Sequence, residues 1–198
     1  MDFPNHDSLD YDPIGSAQTR RHFLSRMGLG VMVMAGALAG APRLLRAAEP
    51  DHDSLPLDLL EKSSFVYISP LLPNGKESRC HAEVWFAWID DSIVVTVAKE
   101  RWKATALDRG LDRARIWVGD HGRWKTTFGG RNEKFASAPS FFARAERVED
   151  DGMIERLLTV YARKYPNEIA TWRDKMRSGD ADGSRILIRY RPQLERSR

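Results

Sequence analysis

The sequence predicts a mainly β domain of the α+β class: a small closed or nearly closed antiparallel barrel with helical additions, with a β-sandwich as the alternative. Three observations lead there. Six segments rich in β-branched and aromatic residues alternate with turn chemistry, two of them are separated only by Asp90 and Asp91, and helical periodicity is confined to short stretches.

Taken in order, residues 57–62 predict a short lead-in helix, and "SFVYISP" at 64–70 is the first strand, stopped by Pro70. "PNG" at 73–75 supplies a turn. "CHAEVWFAWID" at 80–90 is the second strand, so Cys80 and His81 are expected on opposite faces of it. Asp90 and Asp91 then form a tight hairpin into the third strand, "SIVVTVA" at 92–98. A short helix follows, with Arg101, Trp102 and Lys103 in its first turn, and it ends at Gly110. "RARIWVG" at 113–119 is the fourth strand, and a Gly-rich connection leads to the fifth, "PSFFARAERVE" at 139–149. Next come two helices. The first places Ile154, Leu157, Leu158, Tyr161 and Tyr165 on one face before Pro166, and the second, capped by Asn167, carries Ile169, Trp172 and Met176. "SRILIRYRP" at 184–192 is the sixth strand, where Ile186 and Ile188 alternate with Arg185, Arg189 and Arg191.

The 198 residues, 42% of them apolar, suit one domain with a tail. With 31 basic against 28 acidic residues the net charge is +3, which argues against a nucleic-acid partner. The single cysteine, Cys80, excludes an intramolecular disulfide and a cysteine-built zinc site, and no two histidines share a helical metal-pair spacing. No serine lies in a G-x-S-x-G elbow, so a serine-hydrolase reading has no support.

Residues 1–48 stand apart. Arg20 and Arg21, followed by Phe23 and Leu24 and an uncharged, Gly-interrupted stretch from Met27 to Pro42, look like a twin-arginine export signal. That stretch is too short and weakly apolar for a comfortable membrane span. The expected address is therefore periplasmic or otherwise extracytoplasmic, by way of the twin-arginine machinery. Arg46, at the −3 position of a cleavage after Ala48, is a poor fit to a cleavage site, so an uncleaved membrane-tethering tail stays open. The folded domain is expected over 49–198.

The chemistry-bearing candidate is "TVAKERWKATALDRG", residues 96–110. Basic groups at a helix start make an anion site, and phosphate is the natural guest. The competing reading is a solvated basic face with Trp102 in the core. "TTFGGRN" at 126–132 could be a second anion loop, but a plain connection is the expectation.

Strand 80–90, hairpin, strand 92–98, helix "RWKATALDRG" and strand "DRARIWVG" together resemble the FMN-binding split-barrel family, which includes proteins similar to pyridoxamine 5′-phosphate oxidase and the deazaflavin-dependent reductases. The resemblance covers roughly residues 62–149 and the last strand. In that family a strand ending in Thr or Ser precedes a Ser/Arg-Lys-x-x-x-Leu segment that holds the flavin phosphate. Lys103 and Leu107 match the lysine and leucine, whereas Arg101 and Trp102 stand where the oxidase pattern has serine and arginine. The resemblance implies a six-stranded antiparallel split β-barrel with a short helix after strand three and two helices before the last strand. It also implies a homodimer, an oxidoreductase activity and FMN as cofactor, with a deazaflavin reductase or a non-catalytic flavin or haem carrier as alternatives. Thr96, Lys99, Arg101, Trp102 and Lys103 would hold the cofactor, joined by Arg79 and His81 ahead of the second strand. Trp85 and Phe86 would be paired aromatics, one inward and one outward; Trp85, Trp88 and Trp117 are expected in the core or a dimer interface. No residue stands out as a catalytic acid or base.

Overall fold

The computed structural model describes residues 55–126 and 129–193. The expected export signal and tail lie outside them.

Seven antiparallel strands form one sheet in the order β2-β1-β5-β6-β7-β4-β3. They are β1 (Val66–Pro70), β2 (Glu83–Val84), β3 (Ala87–Ile89), β4 (Ser92–Ala98), β5 (Arg113–Val118), β6 (Ser140–Arg147) and β7 (Arg185–Gln193). The two edges of this sheet, β2 and β3, are separated in sequence only by Trp85 and Phe86. One short run of chain thus pairs with β1 through Val66↔Val84 and with β4 through Ala87↔Val94, which curls the sheet into a barrel. The six-stranded barrel read from the sequence is present with its second strand divided in two.

The division has a physical cause. Phe86 N–H donates to the Tyr165 hydroxyl (3.1 Å), and the Tyr161 hydroxyl donates to Trp85 O (2.8 Å), so two side chains replace ladder partners at the break. Trp85 turns outward and stacks on Tyr165 with ring centroids 4.4 Å apart, while Phe86 turns into the barrel, as the paired-aromatic expectation requires.

Alternation fills the interior: Val95 and Val97 of β4, Ile116 of β5, Ala143 of β6 and Ile188 of β7 face one another inside. Val94 and Leu187 face out, and α3 (Met153–Lys164) covers them with Ile154, Leu157 and Leu158. α4 (Ile169–Ala181) packs beside it; its N-cap is Glu168, not Asn167, and no side chain caps it. Gly179 lies so close to β7 that a Cβ there would stand 2.6 Å from Arg185 Cγ, so only glycine lets that arginine pass. The Asp90–Asp91 hairpin has φ of 50° and 52°, the left-handed pair of a type I′ turn. Helix α1 (Leu57–Lys62) puts Leu60 against the barrel core. Lys164 Nζ donates to Leu60 O (3.3 Å) and stands 3.3 Å from the centroid of the Phe86 ring. Among the described residues no helix is long and apolar enough to cross a membrane.

Candidate functional site

The end of β4 delivers the chain through Lys99 and Glu100 into α2 (Trp102–Asp108). Arg101, its N-cap residue, is still extended (φ −75°, ψ 151°), and no side chain caps the helix. The first turn faces inward, because Trp102, Lys103, Ala104 and Ala106 are all buried. The solvated-face reading therefore fails for Lys103, while the burial of Trp102 is what that reading expected.

Lys103 is 6% exposed, and its Nζ lies 3.9 Å from Cys80 Sγ, its hydrogen-bond partner among the described residues. Trp102 is equally buried, donates its indole N–H to Ser78 Oγ (3.1 Å) and packs with Tyr67 and Trp117, under the guanidinium of Arg109. Arg101, Trp102 and Lys103 line a small pocket together with Ala82, Glu83, Val84 and Val97. The Glu83 carboxylate accepts from the Trp124 backbone N–H (2.9 Å), which ties the 119–138 connection to the pocket rim.

Residues 80–82 lie ahead of β2 rather than on it, which corrects the expectation of Cys80 and His81 on opposite strand faces. The cause is Ser78. Its N–H donates to Pro70 O (2.9 Å) and its hydroxyl lies 3.2 Å from that of Ser69, so the chain is held beside β1 before the ladder resumes at Tyr67↔Glu83. Cys80 then faces Lys103. His81 is boxed by Trp117, Trp124 and Phe135 at 5.3 to 5.9 Å between centroids, and its Nε2 lies 3.0 Å from Glu77 Oε2. Arg115 holds the other Glu77 oxygen (3.0 Å) and stands over Trp117. Beside them Tyr67 stacks on Phe135 and donates to Gly122 O (2.5 Å), and burial pushes its hydroxyl up to about 12.

The remaining candidates are placed elsewhere. Thr96 points away from the barrel interior, opposite Val97; Arg185 Nε donates to its hydroxyl (3.1 Å) and Arg185 Nη2 to its carbonyl (3.0 Å). Lys99 and Arg79 are exposed, and neither lines the pocket. At the glycine pair, Gly129 N–H closes a turn onto Thr126 O (3.1 Å), which takes that amide out of an anion loop. Ser78 and Cys80 are the site residues missed from sequence. A lone cysteine without a motif carries no signal until Lys103 is seen beside it.

No protein-family model and no curated protein matches the sequence. Among solved structures the chain is similar to a conserved hypothetical protein from Mycobacterium tuberculosis, with 22% identity, a TM-score of 0.46, and 70% of this chain and 78% of that one covered. It is also similar to HutZ, the haem storage protein from Vibrio cholerae (13%, TM-score 0.47, 69% and 87% covered). A third is a pyridoxamine 5′-phosphate oxidase-type protein from Listeria innocua (14%, TM-score 0.43, 69% and 90% covered). At these scores the fold rests on the strand order and register described above, not on the likeness.

Proposed function

We propose that this chain is an exported flavoprotein of the split-barrel kind, an FMN-dependent oxidoreductase acting as a homodimer, with Lys103 and Arg101 holding the cofactor phosphate. The observation that carries the reading is Lys103: an ammonium 6% exposed, lining a pocket beside Arg101 and facing a thiol rather than a carboxylate. A buried ammonium is costly unless its donors are filled; among the described residues its hydrogen-bond contact is a sulfur at 3.9 Å, and a phosphate in the pocket fills the remaining donors with charge-assisted hydrogen bonds. Lys103 and Arg101 are the donors for a phosphate, and the Glu83 carboxylate lining the same pocket accepts from the Trp124 N–H. Lys103 matches the lysine of the family pattern quoted above, and the Arg20–Arg21 stretch supports the export step.

FMN bound there supplies the electron or hydride transfer. The chain's own residues bind and orient: Lys103 and Arg101 fix the phosphate, and Trp102, locked to Ser78, holds the first turn of α2 against the barrel so that Lys103 stays at the pocket wall. Thr96 is turned to Arg185, which donates to its hydroxyl, so the grip is assigned to Lys103 and Arg101.

The test is the absorbance spectrum of the purified protein, followed by titration of the apoprotein with FMN and with riboflavin. A two-banded flavin spectrum and tighter binding of FMN than of riboflavin are expected, since only FMN carries the phosphate. A colourless protein that takes up neither FMN nor deazaflavin overturns the reading. A Soret band points instead to a haem carrier, a single-banded spectrum to a deazaflavin reductase, and bound flavin that no nicotinamide or cellular reductant reduces to a carrier.

A further inference from the structure

We propose that Cys80 and Lys103 form a thiolate–ammonium pair, and that oxidation of Cys80 by a hydroperoxide to a sulfenate holds Lys103 and shuts a phosphate ligand out of the pocket. The regulatory half rests on the phosphate reading above; the thiol chemistry stands without it.

Two observations meet at this point. Cys80 and Lys103 are 4% and 6% exposed, and their Sγ and Nζ are 3.9 Å apart. Lys103 also lines the pocket, with Arg101 next to it and Cys80 behind the lining. This buried ammonium thus stands between the thiol and the space a small solute would take, and a hydroperoxide reaches the sulfur by passing it. A cation so placed stabilises the thiolate, which is the nucleophilic form of cysteine. The thiolate attacks one oxygen of the hydroperoxide and the O–O bond breaks. Cys–S⁻ and H2O2 give Cys–SO⁻ and water, with the sulfur oxidised by two electrons and one peroxide oxygen reduced to water. The product keeps a negative charge, carries it on a harder oxygen and sits beside the same ammonium. A phosphate and a sulfenate then compete for one cation.

Cys80 is the sole cysteine, so every thiol signal belongs to it. Wild type and Lys103→Met are compared without cofactor by thiolate ultraviolet absorbance against pH and by iodoacetamide alkylation rate, with folding of both checked by circular dichroism. The proposal expects thiolate at neutral pH in wild type, and alkylation about tenfold slower in Lys103→Met. After hydrogen peroxide, intact mass shows one added oxygen that dimedone traps. FMN then binds at least about tenfold more weakly than to reduced protein, while Cys80→Ala binds FMN equally with and without peroxide. Ordinary thiol titration in wild type, or equal alkylation of wild type and Lys103→Met, overturns the pair. Peroxide that oxidises Cys80 without changing FMN affinity overturns the blockade. Failure of reduced wild type to bind FMN, with the low-pH thiolate intact, overturns the cofactor reading instead.

Discussion

The Tyr165 hydroxyl oxygen lies 3.1 Å from the Phe86 backbone nitrogen, joining residues 79 apart in sequence. Its proton is shared between Ser64 O at 2.9 Å and Phe86 O at 3.2 Å, so one hydroxyl serves three backbone groups beside the break while its ring stacks on Trp85. Burial and that apolar packing raise the hydroxyl far above the ordinary tyrosine range, which keeps it a neutral donor at any physiological pH.

Tyr165→Phe retains the ring and deletes the hydroxyl, leaving Phe86 N–H buried without a partner. The expected loss is about 1–3 kcal/mol of unfolding free energy, the usual range for a stranded buried donor. Urea unfolding followed by tryptophan fluorescence measures it, and an unchanged midpoint would show that the break in the second strand is satisfied some other way.

Lys103→Ala removes the buried ammonium from the pocket. FMN affinity is expected to fall by about 1.5–3 kcal/mol, the scale of a charge-assisted hydrogen bond. Isothermal titration calorimetry on folded mutant protein reads this directly; equal affinity in mutant and wild type places the phosphate elsewhere.

Trp102→Phe separates packing from binding. The indole donates to Ser78 and is buried against Tyr67 and Trp117, so the substitution should cost about 1–3 kcal/mol of stability. FMN affinity is expected to stay within about threefold of wild type. A loss as large as that of Lys103→Ala would mean that the tie to Ser78, or the indole itself, governs how the phosphate is held.

Lys164 carries a pH signature. Burial pulls its ammonium down from 10.5 to about 7, although the Phe86 ring face 3.3 Å away favours the charged form and works against that shift. Between the folded value and the unfolded value the unfolded chain binds more protons, so the contribution of Lys164 to stability rises with pH across that window. It is absent above 10.5 and is a full penalty below about 7. Thermal unfolding of wild type minus that of Lys164→Met should therefore climb from neutral to alkaline pH; a flat difference would mean that Phe86 cancels the desolvation.

Most of the barrel was legible because period-two alternation and turn residues are local: the Asp90–Asp91 hairpin and the strands at 92–98 and 113–118 stand within a residue or so of where pattern alone places them. The break at Trp85–Phe86 was not, since neither glycine nor proline marks it and the cause, Tyr161 and Tyr165, lies in a helix much further along. The burial of Lys103 was hidden for a similar reason. Between Trp102 and Ala104 a lysine reads as a solvated residue, and only the loop drawn in by Ser78 places Cys80 over it. The orientation of Thr96 was legible: alternation with Val95 and Val97 sends it to the far side of β4, where Arg185 passes over Gly179 to reach it.

Because β2 and β3 are two ends of one short run, the hydroxyls of Tyr161 and Tyr165 that fill the break tie α3 to the closed barrel. In the strand order β7 stands between β6 and β4, so the ring of strands stays open until residues 185–193 follow Tyr161 and Tyr165 into place. Folding is therefore committed late, after most of the polypeptide has been made.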